Sequence, residues 1–181
     1  MNIVKGASLR ERILTLTSEN IYLRPPGPGD LPYIQKLWAD PDTMEKVGGP
    51  IVRDEDRARC WFEKMVDPGS DKDRYFLIVN WENIPVGEAS FHRFDPSTKT
   101  AEFNIKIEAR HRYKSYGPEA VRLILKYFFS EFGGEMMIAL VALENTTGQR
   151  ALLSVGFEHD PSRTDVFMAR MTKQRFCSRR T

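Results

Sequence analysis

Arg112-Tyr113-Lys114-Ser115-Tyr116-Gly117 is a basic, glycine-containing stretch followed at once by Pro118. Residues of these types in this order suit one kind of chemistry, the holding of an anion. Pro118 fits the first turn of a helix, where its missing N–H would have no partner anyway. Free N–H groups and the positive dipole end at such a terminus favour phosphate. An ordinary solvated strand-to-helix connection carries the same composition. A second set of residues could move protons. Glu88, Ser90 and His92 alternate along one predicted strand, and Glu102, Asn104 and Lys106 along the next. Pairing Phe94 with Thr100 across the intervening turn sets His92 opposite Glu102, Ser90 opposite Asn104 and Glu88 opposite Lys106, all on one face. That face is either a cleft, in which Glu102 with His92 nearby can act as a base, or a wet surface where cross-strand pairs add about 0.2–1 kcal/mol each.

Periodicities along the chain predict the strands and helices that carry these groups. Ala101, Phe103, Ile105 and Ile107 alternate with polar residues, which predicts a strand entering the basic loop. Val121, Leu125, Phe128 and Phe132 recur at helical spacing behind it, and Gly133-Gly134 reads as the stop. Tyr75 to Trp81 and Val86 to Phe94 read as two more strands, joined by short turns into an antiparallel meander. Met136 to Leu143 is an apolar run of strand length, followed by a helical pattern over Gln149 to Val155 that ends at Gly156-Phe157. At the front, Ile21 to Pro25 predicts a strand, and Asp30 a helix N-cap ahead of Ile34, Leu37 and Trp38. Asp40-Pro41-Asp42 breaks the chain before a short helical stretch over Thr43 to Val47, and Val47 to Pro50 is a turn. Arg53 to Met65 is amphipathic, with Ala58, Trp61, Phe62 and Met65 on one side. A last strand pair runs from Phe157 onward and over Asp165 to Met171. The result is an α/β (α+β) chain in the order β-α-α-β-β-β-α-β-α-β-β, with a mixed, mostly antiparallel sheet flanked by helices.

Composition narrows the function classes. The chain has 181 residues, 41% of them hydrophobic, which suits one domain over 1–181 with a sizeable core. With 27 basic and 25 acidic residues it lacks the basic footprint of a nucleic-acid binder. No signal peptide or membrane span is visible, and the basic end, Lys173 to Arg180, reads as a solvated, frayed tail. Cys60 and Cys177 have no metal-ligand spacing and read as free thiols in a reducing cytoplasm. His92, His111 and His159 are too scattered for a metal site. Glu55, Asp56 and Glu88 read as solvated helix and strand charges.

The basic loop resembles the acetyl-CoA pyrophosphate loop of the GNAT superfamily of acyltransferases. Ile107 fills its aliphatic place, Arg112 its Arg/Gln place and Gly117 its last Gly, while Ser115 stands where the first Gly is usual. Asn145 and Gly156-Phe157 are similar to the strand–Asn–helix–Gly-Phe segment of the Rim-type branch, with Gly148 in place of its Ser. Ile21 to Pro25 with Gly29-Asp30-Leu31, and Glu102 in an Ala-Glu-aliphatic pattern, resemble the same branch, so the likeness spans about residues 20 to 172. The resemblance implies an acetyl-CoA-dependent N-acetyltransferase, acting directly on a primary amine of a protein N-terminus, a peptide or a small molecule, with no metal and no membrane. A homodimer is left open. Glu102 and His92 become the catalytic candidates. The backbone of Ile105, Lys106 and Ile107 is expected to hold the pantetheine arm, Arg112, Tyr113, Lys114, Ser115, Tyr116 and Gly117 the pyrophosphate, and Asn145 the opposite side. The family's proton-donor positions are Leu152 and Gly148 here, so the same sequence also suits an acyl-CoA-binding sensor or inactive relative.

Overall fold

The computed structural model describes residues 14–179. The expectation of no signal segment at the first residues falls on 1–13, outside the described residues. The elements are β1 (Leu16–Thr17), β2 (Ile21–Arg24), α1 (Leu31–Ala39), α2 (Pro41–Met44), α3 (Glu55–Met65), β3 (Arg74–Asn80), β4 (Pro85–Asp95), β5 (Thr100–Ile107), α4 (Tyr116–Tyr127), β6 (Met136–Val141), α5 (Thr146–Val155), β7 (Glu158–Asp160), β8 (Phe167–Thr172) and α6 (Lys173–Ser178). They form one eight-stranded sheet, ordered β1-β2-β3-β4-β5-β6-β8-β7. β5–β6 is its parallel pair, and the other neighbours are antiparallel. The mixed fold is thus the expected one, with β1 and α6 added to the predicted elements.

Alternation along the strands sorts the side chains between two helical layers. Phe91 and Phe103 are buried with Val121, Leu125 and Phe128 of α4 and its extension, while Tyr75, Leu77 and Val79 are buried with Ile34, Leu37 and Trp38 of α1. A side chain of this size removed from water contributes roughly 1.5–3 kcal/mol, so the faces hold the layers in register. Past α4 the chain makes one π-helical turn, Phe128–Phe132, closed by Gly133 at φ 90°. A Cβ on Gly134 would lie 2.1 Å from the Phe128 ring, which explains why the stop needs a second glycine.

Three expectations are corrected. The Lys173–Arg180 tail is helical over Lys173–Ser178, because Thr172 caps it, Arg175 donates to the Gly156 carbonyl at 2.7 Å and Phe176 packs 5.3 Å from Phe129. Asp30 precedes α1 but does not cap it: its carboxylate accepts from Arg24 at 2.7 and 2.9 Å and from the Gly27 N–H at 2.7 Å. The short helix expected over Thr43 to Val47 is Pro41–Met44, since Asp40 accepts from the Thr43 N–H and Pro41 takes the first turn.

Glu119, in the first turn of α4, ties that helix to the β1–β2 turn. It accepts from the Ser18 hydroxyl at 2.6 Å and from the Asn20 amide and side chain at 3.1 and 2.6 Å. Burial pushes its carboxyl up, but these bonds outweigh burial and hold it below the ordinary Glu value. A depressed folded-state pKa gives stability that is present above the unfolded value and lost as pH falls through the folded one. The stability advantage of the natural chain over Glu119→Gln is therefore expected to shrink as pH drops below the ordinary Glu range. Denaturant melts of both proteins at neutral and acid pH check this, and an advantage that grows on acidification refutes it.

Candidate active site

The central feature follows from unequal pairing along β5. On the β4 side, pairing runs from His92–Glu102 to Gly87–Ile107 and continues as Glu108 N–H to the Val86 carbonyl at 2.9 Å. Gly87 permits this approach, since a Cβ there would lie 2.2 Å from the Lys106 carbonyl oxygen. On the β6 side, pairing covers only Thr100–Met136 to Phe103–Ala139. Beyond that rung β5 and β6 part, leaving the Asn104–Ile107 edge open toward the notch, where an extended chain could add itself like a strand.

The notch walls are the β5–α4 loop and the β6–α5 turn. Ser115 sits at φ 63° and ψ 0°, a left-handed conformation that a non-glycine residue holds at a cost of order 1–3 kcal/mol. It turns the chain into α4, where the first-turn amides of Tyr116 and Gly117 have no intrahelical carbonyl to reach. Gly117 lies 3.8 Å, measured from the Cβ it lacks, from Ile107. Tyr113 is also left-handed, at φ 63°, and 94% exposed, Lys114 is exposed, and Tyr116 packs half-buried on the core. Arg112 donates to the Thr43 carbonyl at 2.9 Å, and the Ala109 N–H donates to the Thr43 hydroxyl at 2.9 Å. Across the notch, Asn145 caps α5 by accepting from the Gly148 N–H at 3.0 Å and donates to the Lys46 carbonyl at 3.3 Å. A Cβ at 148 would meet the Asn145 side chain at 2.8 Å, so glycine fits that position here.

The polar face of β4 and β5 has the predicted register. Glu88 pairs with Lys106, Ser90 with Asn104 and His92 with Glu102. The rung used to derive it differs: Asp95, not Phe94, faces Thr100, because Arg93 at φ 57° inserts a bulge. The bulge brings Arg93 and His92 to one carboxylate. Glu102 accepts from Arg93 at 2.9 Å and lies 3.4 Å from His92 Nε2. Glu102 sits in the rung before the last paired one and is partly exposed beside the notch.

Glu88 is not the solvated charge the sequence suggests. It is 2% exposed, bonded to the Lys106 ammonium at 2.6 Å and to the Trp38 indole N–H at 2.8 Å. Glu55 and Asp56 are exposed, as expected. Lys106 therefore spends its charge on the sheet face, while its backbone lies on the open edge. The ring nitrogens of His111 are buried near Glu108; burial lowers its pKa, opposed by that carboxylate. Among the described residues no group of His, Cys, Asp and Glu could hold a metal ion, and no helix is long and apolar enough to cross a membrane. Cys60 and Cys177 are free and exposed. Thr43, Arg53 and Arg93 escaped the sequence reading. Asp40-x-x-Thr43 is a capping signal that marks the first, whereas nothing in the sequence marks a bulge at Arg93.

Comparison with known proteins bears on this geometry. The family model described as acetyltransferase (GNAT) domain matches residues 20–158. A Bacillus licheniformis protein named uncharacterized N-acetyltransferase p20 is 24% identical over 148 residues, 81% of this chain and 83% of the relative. A spermidine N-acetyltransferase from Vibrio cholerae, solved with CoA and spermine, shares the fold at a TM-score of 0.78 and 18% identity, covering 87% of this chain and 98% of its own. A GNAT-family acetyltransferase from Bacillus anthracis does so at 0.73 and 22%, covering 89% and 99%.

Proposed function

The chain belongs to the GNAT acetyltransferase family, and from that premise we propose that it moves an acetyl group from acetyl-CoA to a primary amine by direct transfer, with both substrates bound at once. The observation that carries this reading is the parting of β5 and β6 after Phe103 and Ala139, with an open backbone edge at Asn104–Ile107. Acetyl-CoA supplies an activated acyl carbonyl and a thiol leaving group. The Ile105–Ile107 backbone grips the pantetheine arm, the amides at the start of α4 with Arg112 and Lys114 bind the pyrophosphate, and Asn145 flanks the other wall. Glu102, through water and beside His92, takes the proton that the amine loses as its C–N bond forms and the C–S bond breaks. The match of Ile21–Pro25 and Ala101-Glu102 supports a Rim-like member. The neighbouring spermidine enzyme supports a small-molecule amine as acceptor, and the Rim likeness supports a protein or peptide N-terminus.

A second reading, an acyl-CoA sensor without turnover, draws support from Leu152 and Gly148, which leave the family's proton-donor positions without a hydroxyl. A thiolate leaves fairly readily near neutral pH, so a dedicated acid is dispensable for the first reading. Calorimetric titration with acetyl-CoA and with CoA, followed by thiol-release assays over an amine panel, separates the two. Saturable binding with amine-dependent thiol release is the expected result. Binding without release from any amine favours the sensor, and no binding to either ligand refutes both.

A further inference from the structure

Trp38 of α1 covers the Glu88 end of the polar face of β4 and β5, Trp61 of α3 packs on Trp38, Arg53 from the segment before α3 lies against both rings, and the charges there do not balance. Glu88 is already bonded by Lys106 and Trp38, and Glu102 by Arg93 and His92. Arg53, by contrast, has no ion-pair partner among the described residues. Its guanidinium stacks 4.4 Å over Trp38 and 5.8 Å from the Trp61 ring, and its Nη1 is buried without a hydrogen-bond partner. Burial pushes the Arg53 pKa down, opposed only by the Glu88 charge. On the other side of Trp61, Tyr75 packs its ring edge-on at 5.0 Å, and its hydroxyl is also buried and unpartnered. The acids at the start of α3 do not serve Arg53: Asp54 caps the helix and pairs with Arg57, Asp56 pairs with Arg59, and Glu55 is exposed.

A guanidinium held against two indoles and short of a counter-ion is a fork for a planar anion, and a carboxylate matches it with two parallel hydrogen bonds. We propose that the acceptor is an amino-carboxylate: the molecule whose amine is acetylated also carries a carboxylate, which Arg53 binds. Arg53 is then a specificity-determining residue, and polyamines, which bring only further positive charge to this face, are poor substrates. This rests on the acetyl-transfer reading and narrows its acceptor class.

The test uses the full chain and matched acceptors: free amino acids with their carboxamides, and tetrapeptides beginning with Glu or Asp against those beginning with Gln or Asn, with spermidine as a third arm. The first pair detects an α-carboxylate and the second a side-chain carboxylate. The expected result is that one carboxylate form exceeds its amide in kcat/KM by about tenfold or more, the usual worth of a hydrogen bond to a charged group. In Arg53→Gln and Arg53→Met that ratio should collapse toward one through a rise in KM, while acetyl-CoA affinity, titrated separately, stays the same. Amides or spermidine used as well as or better than the carboxylates overturn the proposal yet leave acetyl transfer standing. Equal loss on both members of each pair in both variants reduces Arg53 to a packing role and also overturns it. Failure to bind acetyl-CoA defeats the underlying reading, and this inference with it.

Discussion

Glu102→Gln is expected to lower kcat by about 100-fold or more, the lower end of what a positioned base contributes, while acetyl-CoA affinity changes by less than about twofold. The substitution keeps shape and most hydrogen bonding. Arg93 can still donate to the amide oxygen, so the bulge that carries it stays anchored through its N–H to Asp73 at 3.1 Å. What Gln cannot do is accept a proton from an incoming amine. Single-turnover acetylation measured beside calorimetric binding separates the effects. Equal losses in turnover and binding would mark Glu102 as structural, and no loss in either would remove it from the reaction. His92→Gln is a useful companion, because His92 sits on the same carboxylate at 3.4 Å.

The second large effect concerns stability. Glu88→Leu leaves the Lys106 ammonium, 11% exposed, and the Trp38 indole N–H without their partner in the sheet face. Breaking one side of a buried ion pair costs about 3–5 kcal/mol, whereas replacing both sides with apolar groups is often close to neutral. Glu88→Leu should therefore destabilise strongly, and Glu88→Leu with Lys106→Met should recover most of the loss. In a chain of this size each 1 kcal/mol moves Tm by about 2–4 °C, well within reach of a thermal melt. A double variant no more stable than Glu88→Leu would show that the pair is replaceable by nothing apolar. Its worth would then lie in shaping the cleft around Trp38.

How far the sequence carries a reader depends on the range of the interaction that decides each feature. The register of β4 on β5 is legible because side-chain alternation has a period of two and the turn is short, so Glu88, Ser90 and His92 had one sensible pairing. The same logic missed the Arg93 bulge, since a left-handed residue inside a strand leaves no periodic trace. Pro118 and Gly133-Gly134 announce the ends of α4 through local sterics. The parting of β5 and β6 is different, because it depends on where two strands separated by a helix stop pairing, and only the resemblance pointed to it. Glu88 looked like a surface charge because burial by Trp38 comes from a helix fifty residues earlier in the chain. Lys173–Ser178 looked like a tail because its anchors, Gly156 and Phe129, lie in earlier elements of the chain.

Thr43 and Lys46 give the notch a thermodynamic character beyond its shape. The Thr43 carbonyl holds Arg112 on one wall, and the Lys46 carbonyl holds Asn145 on the other. One short stretch at the end of α2 thus splints both sides of the cleft, and it continues directly from the helix that carries Trp38. A ligand that draws Arg112 or Asn145 to itself must first release that splint. Breaking those two bonds costs part of the ligand's binding energy, and it loosens a stretch that runs on from α1.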